Sequence, residues 1–128
     1  MKTYKVERLG DGTVICSVFG ESTKYSLPHV VFHSPTGFET GYAGSGPSDL
    51  ALSIMADHYG VKPSQMAARM RGAHAGDPDS TYVARFYQLF KDFFIMNSTL
   101  QVEESYSITT QEIEQWIAHE ATRMNLIP

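Results

Sequence analysis

Hydrophobic and polar residues alternate along the first part of the chain. Thr3 to Leu9 alternates weakly, and Thr13-Val14-Ile15-Cys16-Ser17-Val18-Phe19 is β-branched and apolar. Both runs predict strands, and Asp11-Gly12 between them predicts a tight turn. Gly20-Glu21-Ser22 turns the chain again. Tyr25 to Phe32 reads as another extended piece, pushed toward a sheet edge by Pro28, which has no N–H for a ladder. Thr36 to Tyr42 predicts a further short strand. The N-terminal third therefore predicts an antiparallel meander of three or four strands.

Beyond that point the spacing becomes helical. Asp49 to Tyr59 predicts a helix with Leu50, Ile54 and Met55 on one stripe, Ala51 and His58 close to it, and Gly60 as its stop. Pro63-Ser64 opens a short second helix from Gln65 to Arg71, and Gly72 to Asp79 reads as loop. A third helix starts at Ser80 or Thr81 and runs to about Met96. Its Val83, Phe86, Tyr87, Phe90 and Phe94 are the strongest amphipathic signal in the chain and predict core. If Phe93 faces outward beside Leu89, that surplus marks an oligomer interface. Leu100 to Ile108 is polar and alternating, as an edge strand would be. Thr109-Thr110-Gln111-Glu112 matches a capping box. The helix after it places Ile113, Trp116, Ile117 and Met124 on one face, and the carboxylates at 103, 104, 112, 114 and 120 face water. The expected fold is α+β and a single domain over residues 1–128: a small antiparallel sheet with three or four helices packed on one face.

Composition narrows the picture in three ways. An apolar content of 42% and an aromatic content of 12% argue against disorder. A net charge of −4 argues against wholesale coating of nucleic acid, although a local basic face is compatible with it. The single cysteine, Cys16, forms no internal disulfide and reads as a small buried hydrophobe. The Met-Lys-Thr start has no apolar run after it, and no stretch is long enough to cross a bilayer. A cytoplasmic location without membrane contact is the expectation.

The chemistry is concentrated in His33 to Leu52. Gly44 and Gly46 relax the backbone, Pro47 suits the first helical position, Ser45 or Gly46 can cap, and Asp49 puts a negative charge in the first turn. Such a turn aims several backbone N–H groups at one spot, as an anion site needs. Turns of this kind also serve only to redirect the chain. No Gly-Lys-Ser/Thr follows, and no third glycine has dinucleotide-fingerprint spacing. The candidate ligand-binding set is Gly44, Ser45, Gly46 and Ser48, with Tyr42 stacking and Arg69, Arg71 or Arg85 supplying charge. On this reading Gly46→Val removes binding while the fold survives.

Other chemistry is weaker. His29 and His33 would share a strand face, and His74 lies near Asp77 and Asp79. No His-Glu-x-x-His or Cys-x-x-Cys spacing accompanies them, so neither metal nor cofactor is expected. There is no Gly-x-Ser-x-Gly elbow. Glu39 beside Tyr42 could move a proton, yet a lone carboxylate is usually solvated or salt-bridged. Enzyme activity is the least supported class. Met55 to Met70 has the pattern of a helix-turn-helix: small Ala56, Gly60 in the turn, Val61 and Met66 inside, basic Lys62, Arg69 and Arg71, and Gln65 to read a base edge. Arg69, however, stands where such motifs bury an apolar residue.

His33-Ser34-Pro35-Thr36-Gly37-Phe38, Gly41-Tyr42, Gly44-Ser45-Gly46-Pro47 and Leu50-Ala51-Leu52 together resemble the signature of a family of small bacterial and phage proteins of unknown function. Tyr87-Gln88, Phe90-Lys91 and Thr109 to Ile117 resemble it too, so the likeness spans roughly residues 33 to 117. In that family an aromatic usually stands at Thr40 and a glycine at Ala43, and Val61 to Asp79 has the look of an insertion. The resemblance implies association with mobile elements and gives no reaction. The expected function is a non-enzymatic phage or prophage binding protein that antagonises a host system. It would sequester a small phosphorylated or nucleotide ligand, or contact a host defence protein directly, with homo-oligomerisation an open option. The alternative is a DNA-binding regulator acting through residues 55–71.

Overall fold

The computed structural model describes residues 1–72 and 77–123. Strands β1 (Thr3–Arg8) and β2 (Val14–Phe19) pair antiparallel from Thr3↔Phe19 to Arg8↔Val14. The turn between them works as its residues suggest. Gly12 takes φ +89°, and the Asp11 carboxylate accepts from the Thr13 amide at 2.9 Å. Strand β3 (Lys24–Ser26) lies outside β2, and β4 (Ser105–Thr109) lies outside β1. The order is β3-β2-β1-β4, so the polar C-terminal segment closes one edge of the N-terminal meander.

Alternation decides which face is covered. Tyr4, Val6, Val14, Cys16, Val18 and Ile108 are buried in one core cluster with the helices, whereas Lys5, Ser17 and Ser107 sit on the other face. The helices are α1 (Ser45–His58), α2 (Pro63–Met70), α3 (Pro78–Phe90) and α4 (Thr110–Arg123). Two expected strands shorten or vanish. Residues 27–34 make no ladder beyond β3 because α1 holds them instead. Thr36 to Tyr42 contributes a single bridge, Val14↔Phe38. Gly37 (φ +135°) and Gly41 (φ +93°) break its extended run.

Helix α1 begins four residues earlier than its apolar stripe suggests. Gly44 is the cap, and Pro47 is the third helical residue rather than the first. Its missing N–H still falls among the amides that have no partner inside a helix. Every residue from Gly46 to Ala56 is buried, so no single stripe describes this helix. Its end is a Schellman turn at the expected glycine. Gly60 takes φ +72°, its amide donates to Asp57 O at 3.1 Å, and the Val61 amide donates to Ala56 O at 2.8 Å.

The third helix departs from the even period. After Phe90 the chain makes a five-residue π-turn, Lys91–Ile95, in which the Met96 amide reaches Lys91 O at 2.8 Å. This turn buries Ile95 completely and leaves Phe93 66% exposed. Its carbonyls find partners outside the helix. Ile95 O accepts from the Gly41 amide at 3.0 Å, and Phe94 O from Ser98 Oγ at 2.7 Å. The capping box of α4 is present: the Glu112 amide donates to Thr109 Oγ1 at 3.1 Å, and the Thr109 amide donates to Glu112 Oε1 at 3.0 Å. Ile113 and Trp116 are buried on α4, while Met124 and His74 lie outside the described residues.

Candidate functional site

The glycine-rich loop leads from residues 27–34 into α1, and one side chain fixes both. Asp49 is completely buried, and its carboxylate collects four hydrogen bonds. The amides of Phe32, His33 and Ser34 donate at 3.2, 2.8 and 2.9 Å, and His29 Nε2–H donates at 2.9 Å. One turn on, Ser53 Oγ accepts from the Val30 amide at 2.9 Å. Another turn on, Asp57 accepts from Tyr25 Oη at 2.9 Å, Tyr4 Oη at 2.6 Å and Lys2 Nζ at 3.3 Å. Positions i, i+4 and i+8 share a helix face. Asp49, Ser53 and Asp57 thus form a polar stripe that fastens an irregular segment along the helix. Asp49 serves that segment, not the helix dipole.

The loop itself borders a cleft of about 270 Å³ lined by Thr13, Val14, Ser34, Thr36, Gly37, Phe38, Glu39, Tyr42, Ser45 and Gly46. Five of these carry hydroxyls, and those of Ser34 and Thr36 lie 3.4 Å apart in a shared hydrogen bond. Tyr42 is half exposed, at 50%. The Gly44 cap makes no side-chain hydrogen bond, and the Ser45 and Gly46 amides of the first turn have no partner within the helix. Gly46 is needed for packing. A Cβ there would stand 2.6 Å from Glu39 Cβ and 3.0 Å from Glu39 N. Gly46→Val therefore forces the loop off the helix, so that variant cannot remove binding and leave the fold untouched.

The cation paired with this cleft's one lining carboxylate, Glu39, is Arg8, which is not itself a lining residue. It follows Tyr4 and Val6 in the inward set of β1, and a guanidinium on that face must be paired. It grips Glu39 in a two-pronged pair at 2.8 and 3.2 Å, and donates to Leu100 O and Gly12 O at 2.8 Å each. The Arg8 hydrogen bond holds the Glu39 carboxyl below its ordinary value, against an opposing effect of burial. Glu39 is thus salt-bridged, the bland alternative weighed for it. The charged residue inside the alternation of β1 was the available signal for Arg8, and sequence reasoning passed over it.

The expected residues divide. Tyr42, Ser45 and Gly46 line the cleft, and Gly44 stands next to the Tyr42 ring, where a Cβ would lie 3.0 Å from Tyr42 Cδ2. Ser48 is buried and its amide donates to Gly44 O at 3.0 Å. Arg69 and Arg71 follow or end α2, Arg85 lies on α3, and none of the three is among the lining residues. Arg71 donates to Val31 O at 3.3 Å, and the Arg85 guanidinium lies 5.5 Å from the Phe86 ring centre. Of the helix-turn-helix set, Val61 and Met66 are buried, and the Gln65 amide donates to Asp77 Oδ2. His29 is taken up by Asp49, and His33 shares a hydrogen bond of 2.6 Å with Tyr87 Oη. Among the described residues no group of three or more histidine, cysteine or acidic side chains is placed to hold a metal ion, and no helix is long and apolar enough to cross a membrane.

A family model matches residues 4–70, from the start of β1 to the end of α2. The chain belongs to DUF6166, a family of unknown function. No curated protein and no solved structure matches it. The DUF6166 match encloses the whole polar stripe, the Arg8–Glu39 pair and the cleft. It also runs through residues 61–70, so α2 lies within the shared region.

Proposed function

We propose that this DUF6166 protein is a non-enzymatic binding protein that takes a small phosphorylated ligand, a nucleotide or sugar phosphate, into the cleft beside the 36–46 loop. The observation that supports it is the meeting in one cleft of three unlike features: the uncapped amino end of α1, the exposed Tyr42 ring, and the Glu39 carboxylate, which is paired with Arg8. A nucleotide offers something to each. Its phosphate suits the helix amides, its ring stacks on tyrosine, and its hydroxyl or amino donors suit Glu39 and the lining hydroxyls. The resemblance of the loop to phage proteins extends the reading to antagonism of a host system by sequestration.

Isothermal titration against mono-, di- and cyclic nucleotides and sugar phosphates tests it. Ser45→Pro removes one amide at the first helical position, where proline is tolerated, and the extended backbone of Gly44 before it is compatible. Binding that falls about tenfold in both Ser45→Pro and Tyr42→Ala supports the reading. Absence of binding across the panel, or binding indifferent to both changes, overturns it.

A second reading, direct contact with a host protein or a second copy, has its own observation. Phe93 is exposed beside Phe94 and Trp116 at a groove of about 280 Å³. Sedimentation of the protein alone and with host lysate fractions, repeated with Phe93→Ser, separates this reading from the first.

A further inference from the structure

A second cavity lies at the opposite end of α1. It measures about 250 Å³ and is lined by Lys2, Pro28, Val30, Ser53, Ala56, Asp57, Gly60, Val61, Lys62 and Pro63. Five of these residues are apolar. The Asp57 carboxylate among them already accepts from Tyr4, Tyr25 and Lys2. Lys2 is held in place from two sides, 3.3 Å from Asp57 Oδ2 and 5.5 Å from the Tyr25 ring centre. Its ammonium has three N–H donors, and its side chain is 41% exposed. Lys62, on the turn between α1 and α2, is exposed. Two ammonium groups against one carboxylate leave the lining with a surplus of one positive charge, in a chain whose net charge is −4.

We infer that this cavity binds a small monoanion with a compact apolar body, an ionised aliphatic or aromatic carboxylic acid. The body packs against Pro28, Val30, Ala56, Val61 and Pro63, and the carboxylate lies between the Lys2 and Lys62 ammonium groups. Asp57 is a positioning residue: it neutralises one lysine and fixes where it points. The volume falls just below the ~300 Å³ at which drug-sized sites begin, so the guest is a small acid. This site shares no lining residue with the cleft beside the 36–46 loop, and its failure leaves the nucleotide reading untouched.

The test is an NMR titration of the whole protein with three probes: 3-phenylpropionate, its neutral analogue 3-phenylpropanol, and inorganic phosphate. The expected result is saturable movement of the Val30, Gly60 and Val61 signals with phenylpropionate, binding at least about tenfold weaker for the alcohol, and none for phosphate at these signals. Lys62→Gln, at an exposed position, weakens phenylpropionate about tenfold, and Lys62→Arg retains it. No saturable shift up to ~10 mM acid, equal binding of the alcohol, or indifference to Lys62→Gln overturns the inference.

Discussion

Asp49 and Asp57 sit two turns apart on one helix face and hold the chain by different means. Asp49 is fully buried and satisfied mainly by main-chain amides from three consecutive residues. Asp57, with 13% of its side chain exposed, is satisfied by side chains from positions 2, 4 and 25. A buried charge survives only when its lone pairs are filled. Main-chain donors can come from any residue but proline, whereas the Asp57 network needs three particular side chains together. The first arrangement shapes a backbone. The second ties helix to sheet and leaves a charged cavity beside the knot.

Breaking the two corners separately sharpens this contrast. Asp49→Asn replaces an acceptor by a donor facing amides that already donate. It should cost about 3 kcal/mol or more in denaturant unfolding. A loss under about 1 kcal/mol would mean that something else shapes residues 29–34. Asp57→Asn should cost about 2 kcal/mol, since one acceptor oxygen remains and Tyr25 and Lys2 can turn to water. In a double-mutant cycle with Tyr25→Phe, a coupling of about 1 kcal/mol is expected, and additivity would disprove a shared network.

Glu39 provides a third, more exposed carboxylate for comparison. Its folded-state acidity is strengthened by Arg8, so its value lies below the ordinary 4.5. The stabilisation is complete above that ordinary value and is lost as pH falls through the depressed one. With 34% of the side chain exposed, screening keeps the effect under about 1 kcal/mol. Glu39→Gln should flatten that part of the acid-unfolding curve, and an unchanged curve would show that the pair contributes nothing. The smallest effect belongs to Cys16, whose thiol is pushed up to about 12 by burial. Iodoacetamide at pH 8 should label it no faster than the protein unfolds. Immediate labelling would mean that the core face beside the Asp57 corner opens locally.

Much of the fold was legible locally. Alternation marked β1 and β2, Asp11-Gly12 marked their turn, Gly60 marked the end of α1, and Thr109 with Glu112 marked the start of α4. Each of those signals acts within a few residues. The errors fell where distant partners decide. Residues 27–34 and 36–42 contain strand formers, yet α1 and the glycines took them out of the sheet. Pro47 and Asp49 suggested a helix start that a cap at Gly44 moved forward. In the candidate site, Tyr42, Ser45 and Gly46 were visible because a glycine-rich turn announces itself. Arg8 and Glu39 were not paired in advance, because 31 positions separate them.

The sequence by itself determined the α+β class, strands β1 and β2, the succession of helices and the backbone hinges, because periodicity, turn residues and caps are short-range physics. Only the tertiary structure decided which carboxylate meets which donors, that β4 closes the sheet beside β1, and that α1 carries a different cavity at each end. Those outcomes depend on burial. Once water is excluded, every charge must find a partner, and the partner is chosen by three-dimensional proximity rather than by nearness along the chain.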